Sequence, residues 1–189
     1  MKINSVNINF TKKLVAKCEI KDKQRAKHPA SIYEYNPRSI DDMKEIQNGL
    51  NAEFIKYNFF KQGYYRRNMP ESKFYAMKDD VTGDIIASAQ TSNHLALQGK
   101  YEGLYTSIDE LQASDNYINP ANPMVAFIAD KAQQTYSKNI LTSFRADEAP
   151  DLGECKFKKT KSGIWIIRSR GFKECISRAE KRNNLEIIA

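Results

Sequence analysis

Residues 105–132 read YTSIDELQASDNYINPANPMVAFIADKA. The first eight alternate as a strand does. Tyr105, Ser107, Asp109 and Leu111 are expected on one face, with Thr106, Ile108, Glu110 and Gln112 on the other. An Asn/Pro-rich turn, Asn116–Pro123, follows the strand. Asn122 suits a helix N-cap, with Pro123 at the first helical position. The helix is expected from about Met124 to Tyr136, its apolar stripe made of Val125, Ile128, Ala129 and Ala132, with Phe127 beside it. A strand that enters a helix through a tight loop is a natural anion site, because the first helical N–H groups have no partner. This loop has no glycine: none occurs between Gly103 and Gly153.

Upstream, KFYAMKDD (73–80) and DIIASAQTS (84–92) read as a hairpin, with Gly83 supplying positive φ in the turn. ASIYEY (30–35) has strand composition, and Leu14–Ile20 reads as a short strand. Ser39 and Asp42 form a capping-box pattern ahead of Ile40, Met43, Ile46, Leu50, Phe54 and Tyr57 at helical spacing, interrupted near Gly49. Downstream, Ile140–Arg145 reads as a strand and Ser162–Arg170 as either strand or helix. Lys173–Ala179 and Asn184–Ile188 read as a terminal hairpin. Residues 1–29 are expected to be a partly ordered N-terminal extension, followed by one domain over 30–189.

The 189 residues suit a single core, and 41% apolar with 28% charged residues is a globular balance. No run reaches the ~18 apolar residues of a membrane span. The N-terminal residues lack the apolar core of a secretory signal. Three widely spaced cysteines (Cys18, Cys155, Cys175) without a CxxC pair suggest reduced thiols and a cytoplasmic setting, and with only two histidines no metal site is expected. The net charge of +7 points to anionic partners or to a solvated basic surface.

Taken in order, these pieces resemble the GNAT (GCN5-related) N-acetyltransferase superfamily over about Ala30 to Ile188. FYAMKDDVTGDIIASAQTS looks like its second and third strands. Leu111-Gln112-Ala113 stands where its fourth strand ends, and the helix after the turn looks like the one behind its pyrophosphate loop. Ile166–Phe172 is similar to its late F-Y-x-x-x-G-F element. The resemblance implies an α/β fold with a mixed, mostly antiparallel central sheet flanked by helices. It also implies acetyl-CoA as co-substrate and an amine acceptor. By position it implies Leu111, Gln112, Ala113, Asn119, Ala121, Asn122 and Met124 as the acetyl-CoA contacts. Glu110 or Asp109 would be the base that deprotonates the acceptor.

The sequence departs from that family at two points. Asn119-Pro120-Ala121-Asn122-Pro123 replaces the glycines of the phosphate loop, and two prolines delete two N–H donors. Ile167 stands where the family carries a proton-donating Tyr; Tyr105, Tyr117 and Tyr136 are spatial substitutes to consider. Two rival readings therefore stand beside an active acetyltransferase. One is a GNAT-shaped binding module without catalysis. The other is a nucleic-acid-binding face built on the basic run Lys156, Lys158, Lys159, Lys161, Arg168, Arg170, Lys173, Arg178, Lys181 and Arg182 with Phe157, Trp165 and Phe172.

Overall fold

The computed structural model describes residues 12–36, 39, 41–42, 44–45, 72–97, 102–145 and 152–188. Strands β1 (Lys13–Asp22), β2 (Lys27–Tyr35), β3 (Lys73–Asp79), β4 (Ile85–Ala96) and β5 (Gly103–Ala113) form an antiparallel run. After β5 come the two-residue β6 (Tyr117–Ile118), helix α1 (Ala121–Gln134) and β7 (Asn139–Arg145). A 3-10 turn (Gly153–Cys155), β8 (Lys158–Lys159), β9 (Ile164–Arg168), helix α2 (Ser169–Asn183) and β10 (Glu186–Ile187) complete the chain. The sheet order is β10-β1-β2-β3-β4-β5-β7-β9-β8, with β6 also on β1. Among the described residues the one parallel pairing is β5 with β7, as a helical crossover through α1 requires. The α/β class and the mixed, mostly antiparallel sheet are as the sequence implies.

β1 pairs with β2 across the expected boundary at residue 29, and places Val15, Ala16, Cys18 and Ile20 in the same core as Ile32, Met77, Ile86 and Phe127. Helix α1 is buried at every residue from Ala121 to Ala129. A helix apolar on all sides must be covered on all sides. The sheet covers one side, where Phe127 meets Tyr75 edge-on at 5.0 Å, and α2 packs on another. Each large side chain fully buried here stabilises the fold by roughly 1.5–3 kcal/mol.

The terminal hairpin expected over 173–188 is not formed. Residues 169–183 are the helix α2, whose Phe172, Cys175 and Ala179 are buried one to two turns apart. Eight charged side chains from Arg168 to Arg182 hide that spacing in the sequence. Asn184, at φ 46°, ends the helix in the left-handed conformation, and only Glu186–Ile187 become strand. The start of α1 also differs: Pro120 is the N-cap and Asn122 lies inside the helix. The Ser39 cap forms, its Oγ accepting the Asp42 N–H at 3.2 Å, while the Asp42 carboxylate accepts the Asn36 N–H at 3.0 Å. The helical pattern from Ile46 to Tyr57 lies outside the described residues.

The β3–β4 hairpin turns through Gly83 at φ 78° and is anchored by Asp79, which is fully buried. Its Oδ1 accepts the N–H groups of Val81 (2.8 Å) and Thr82 (3.2 Å). Its Oδ2 accepts the Tyr117 hydroxyl (3.1 Å) and meets His28 Nδ1 (2.9 Å). One carboxylate thus ties the hairpin to β2 and β6. Burial alone would raise its pKa; the N–H groups of Val81 and Thr82, Tyr117 and His28 outweigh burial and hold it below the usual carboxylate range. A depressed native pKa contributes stability above the unfolded value of about 3.9, which is lost as pH falls through the native one. Asp79→Asn, which turns an amide donor toward Tyr117 and His28, should cost about 1–3 kcal/mol at neutral pH. In urea melts the deficit should shrink below about pH 4; a pH-independent deficit would place the loss elsewhere.

Candidate active site

Strands β5 and β7 pair only from Tyr105–Ile108 against Asn139–Thr142. Beyond that the two strands part: β7, which pairs with β9 on its other side, runs on to Arg145, while β5 continues to Ala113. The result is a fork whose β5 arm, residues 109–113, is paired with β4 alone.

The fork begins at a β-bulge. Gln90 opposes Glu110 and Thr91 opposes Ile108, so Asp109 has no opposite residue. A bulge inserts one residue and breaks the alternation. Ile108, Leu111 and Ala113 therefore all face α1, where Leu111 is buried and Ala113 packs against the core. Glu110 and Gln112, opposite Gln90 and Ser88, face the other side. Asp109 faces that side too, since its Oδ2 accepts the Ser92 hydroxyl at 2.6 Å. The expectation that Asp109 and Glu110 lie on opposite faces, with Leu111 beside Asp109, is thus corrected. Strict alternation predicts it, and the bulge abolishes it.

This far face of the sheet is polar around the carboxylates. Asp109 Oδ1 accepts the Ser143 hydroxyl at 3.0 Å across the mouth of the fork, and Ser143 meets Ser107 at 2.8 Å. Ser92 Oγ also lies 2.8 Å from His94 Nε2, and the His94 ring stacks on Tyr105 at 5.1 Å. Because Ser92 donates its one proton to Asp109, His94 Nε2–H is the donor to Ser92. Next to them, Ser88 Oγ and Gln90 Oε1 are buried with no hydrogen-bond partner. Such atoms cost roughly 1–3 kcal/mol each when left alone and mark a face shaped for something other than stability. Of the tyrosines considered, Tyr105 stands on this face, Tyr117 is bonded to Asp79 and Tyr136 is exposed. Ile167 is core.

The N-terminus of α1 carries little of a phosphate cradle. Pro120 and Pro123 have no N–H, and Asn122 donates its own to the Asn119 carbonyl at 3.1 Å. Only the Ala121 N–H remains among the first three helical residues. Asn119, at φ 48°, turns the chain inward. A carboxylate already occupies the positive end of the helix. Glu154 Oε2 accepts the side-chain amides of Asn119 (3.0 Å) and Asn122 (3.1 Å) and pairs with Arg182 (3.1 Å). Ala121 and Met124 are fully buried. Sequence reasoning missed Glu154, Ser92, Ser143 and Gln90. Only the partial charge expected at a helix N-terminus signalled a role like that of Glu154.

All three cysteines are free and buried. Burial, then the Asp80 charge, pushes the Cys18 thiol up to about 12, and a hydrogen bond with Cys155 together with burial raises that of Cys175. Neither is a thiolate nucleophile. Among the described residues no cluster of His, Cys, Asp or Glu has the makings of a metal site, and no helix is long and apolar enough to cross a membrane.

No protein-family model and no curated protein matches the sequence. Solved structures do match. A mutant of the toxin AtaT, bound to the C-terminus of the antitoxin AtaR and acetyl-CoA, superposes with a TM-score of 0.54 at 6% identity, over 77% of this chain and 96% of that one. The GNAT family N-acetyltransferase YhbS from Escherichia coli, in complex with CoA, gives 0.52 at 14% identity, over 76% and 84%. A predicted acetyltransferase from Clostridium acetobutylicum with acetyl-CoA gives 0.50 at 12%, over 70% and 92%. The chain has the GNAT fold.

Deleting Asp109 would remove the unpaired residue, so that Glu110 follows Ile108 opposite Gln90 and Thr91 and alternation becomes regular with Leu111 and Ala113 still toward α1. The expected result is a cooperative melting transition that persists; a lost transition would show that the strand depends on the bulge itself. Glu154→Gln, at an exposed pair, should change stability by less than about 1 kcal/mol in the same melt.

Proposed function

We propose that the chain transfers an acetyl group from acetyl-CoA to an amine that approaches the polar face at the β5–β7 fork. The observation that carries this reading is the pair of carboxylates, Asp109 and Glu110, which the bulge sets on one face at the fork. An amine arrives as an ammonium ion. A carboxylate takes one of its protons, and the freed nitrogen attacks the thioester carbon. The C–S bond breaks, and the sulfur takes the second proton from the new amide nitrogen. A backbone N–H on the edge of β5 that β7 leaves would stabilise the oxyanion. Asp109 is the base this reading favours, because Ser92 and Ser143 fix both its oxygens. Leu111, Gln112 and Ala113 would meet the pantetheine arm through backbone, two of their side chains being turned to the core. Asn119, Ala121, Asn122 and Met124 would meet the pyrophosphate.

The second reading, a GNAT-shaped binding module without catalysis, is favoured by one observation. The Glu154 carboxylate sits where α1 would receive a phosphate, and the prolines leave few donors to replace it. The nucleic-acid reading gains less. Among the described residues, three of the ten cations in the basic run are paired, Lys156 (2.7 Å) and Arg178 (3.2 Å) with Glu174 and Arg182 with Glu154.

Thermal melts with acetyl-CoA separate the first two readings. A Kd near ~10 μM and ~1 mM ligand should stabilise by ~2.7 kcal/mol, a rise of about 5–10 °C for a chain of this size. Asp109→Asn should then lower kcat about 100-fold with the acetyl-CoA shift intact, whereas an equal loss in Glu110→Gln alone would move the base role there. Absence of any shift, also in Glu154→Gln, leaves the binding module standing and removes the enzyme.

A further inference from the structure

A second concave site lies at the opposite edge of the sheet from the N-terminal strands, where β8, β9 and the start of α2 meet. It encloses about 550 Å³ and is lined by Lys156, Lys158, Arg168 and Arg170, together with Thr160, Ile166, Ile167, Gly171 and Glu174. Four cations, one each from the end of the 3-10 helix, β8, β9 and α2, thus share the cavity with one carboxylate, Glu174, which is already held by Lys156 and Arg178. Like charges repel across a shared cavity, and the arrangement is stable in water only because it is open and solvated. It gains most from a multivalent anion.

Three features sharpen the chemistry. Lys156 is set into the cavity by a left-handed turn at φ 68°, which ends the 3-10 helix and separates it from Lys158 on the strand. The first turn of α2 has no acidic residue and no side-chain cap, so its positive end adds to the four cations. Gly171 brings α2 close to β9: a Cβ there would lie 3.0 Å from Ile167 Cγ1. Ile166 is the half-buried apolar residue of the lining, while Ile167, its neighbour on β9, is turned to the core. A volume of this size suits a small organic ligand. An aliphatic side chain ringed by guanidinium and ammonium groups fits a ring that carries two phosphates.

We infer that this pocket binds the phosphate groups of a nucleoside diphosphate or bisphosphate, at a site separate from the β5–β7 fork. Arg168 and Arg170 provide forked donors to phosphate oxygens, while Lys156 and Lys158 act as point charges. Lys156 exchanges Glu174 for the ligand, leaving Glu174 to Arg178. The inference stands whether or not the fork catalyses acyl transfer. The same nucleotide chemistry exists free, as ADP, or as the adenosine 3′,5′-bisphosphate end of CoA, and the two sources are separable.

The probes are ADP and adenosine 3′,5′-bisphosphate, titrated by calorimetry into the intact chain, with CoA in parallel. Both nucleotides should bind saturably and weaken as salt is raised. Arg168→Ala/Arg170→Ala should lose at least about tenfold in affinity, and Lys158→Ala, on the exposed strand, a few-fold, while Asp109→Asn should bind as the wild type does. Should the double variant fail to fold, Lys158→Ala carries the test alone. Parallel loss of CoA binding identifies the nucleotide end of CoA as the occupant, and loss of ADP alone identifies a separate nucleotide. No heat at ~5 mM of either nucleotide, or affinities unchanged in the variants, overturns the assignment.

Discussion

The β-bulge at Asp109 is the constraint on which both the packing and the site depend. Without it, Ile108 and Leu111 would lie on opposite faces of β5, and half of the strand's apolar atoms would miss α1. With it, one extra residue serves two purposes. The apolar residues stay on the helix side along the full length of β5, and two consecutive carboxylates emerge together on the other. The same discontinuity lies where β7 leaves β5, so the fork opens beside Asp109, and Ser143 bridges the fork to that carboxylate.

The electrostatics of the two helix starts run in opposite senses. At α1 the positive end is answered from within the chain: Glu154 lies on the Asn119 and Asn122 amides, and Arg182 of α2 balances it. At α2 no carboxylate caps the first turn, and Arg168 and Arg170 add to its positive end. A protein of this fold holding a phosphate at α1 would need an empty, glycine-lined turn there. This chain has filled that turn with its own acid and left its cationic concavity at the other helix. Part of the chain's basic excess thus has a location at the β8–β9–α2 corner, where the sequence showed only a run of basic residues.

The strand, turn and helix at 105–132 were legible because their periodicities differ and the turn is dense in Asn and Pro. The β3–β4 hairpin was legible because Gly83 marks it. The bulge was not, since TSIDELQ alternates acceptably in either register and only the pairing with Gln90 and Thr91 reveals the insertion. Helix α2 was hidden because its buried residues, Phe172, Cys175 and Ala179, are few and small amid charge, and their burial depends on α1 lying beneath them. Glu154 was illegible for a related reason: it meets Asn119 and Asn122 across a separation of more than thirty residues.

Two of the buried polar atoms without partners, Ser88 Oγ and Gln90 Oε1, lie on the face beside the fork; Tyr35 Oη and Trp165 Nε1 lie elsewhere. On the α1 side of the sheet the core is apolar and closed. On the far side, Ser88 Oγ and Gln90 Oε1 are buried without partners beside Asp109, whose own oxygens are each taken by a serine. A chain selected only for stability would replace Ser88 and Gln90 with apolar residues of similar volume, since buried orphans cost and apolar substitutes do not. Polar groups kept at a cost, next to a carboxylate fixed in place, are what a site needs when its missing hydrogen bonds are supplied by an incoming N–H group. That is why the polar face at the fork, and not the altered turn at α1, is the part of this structure that argues for chemistry.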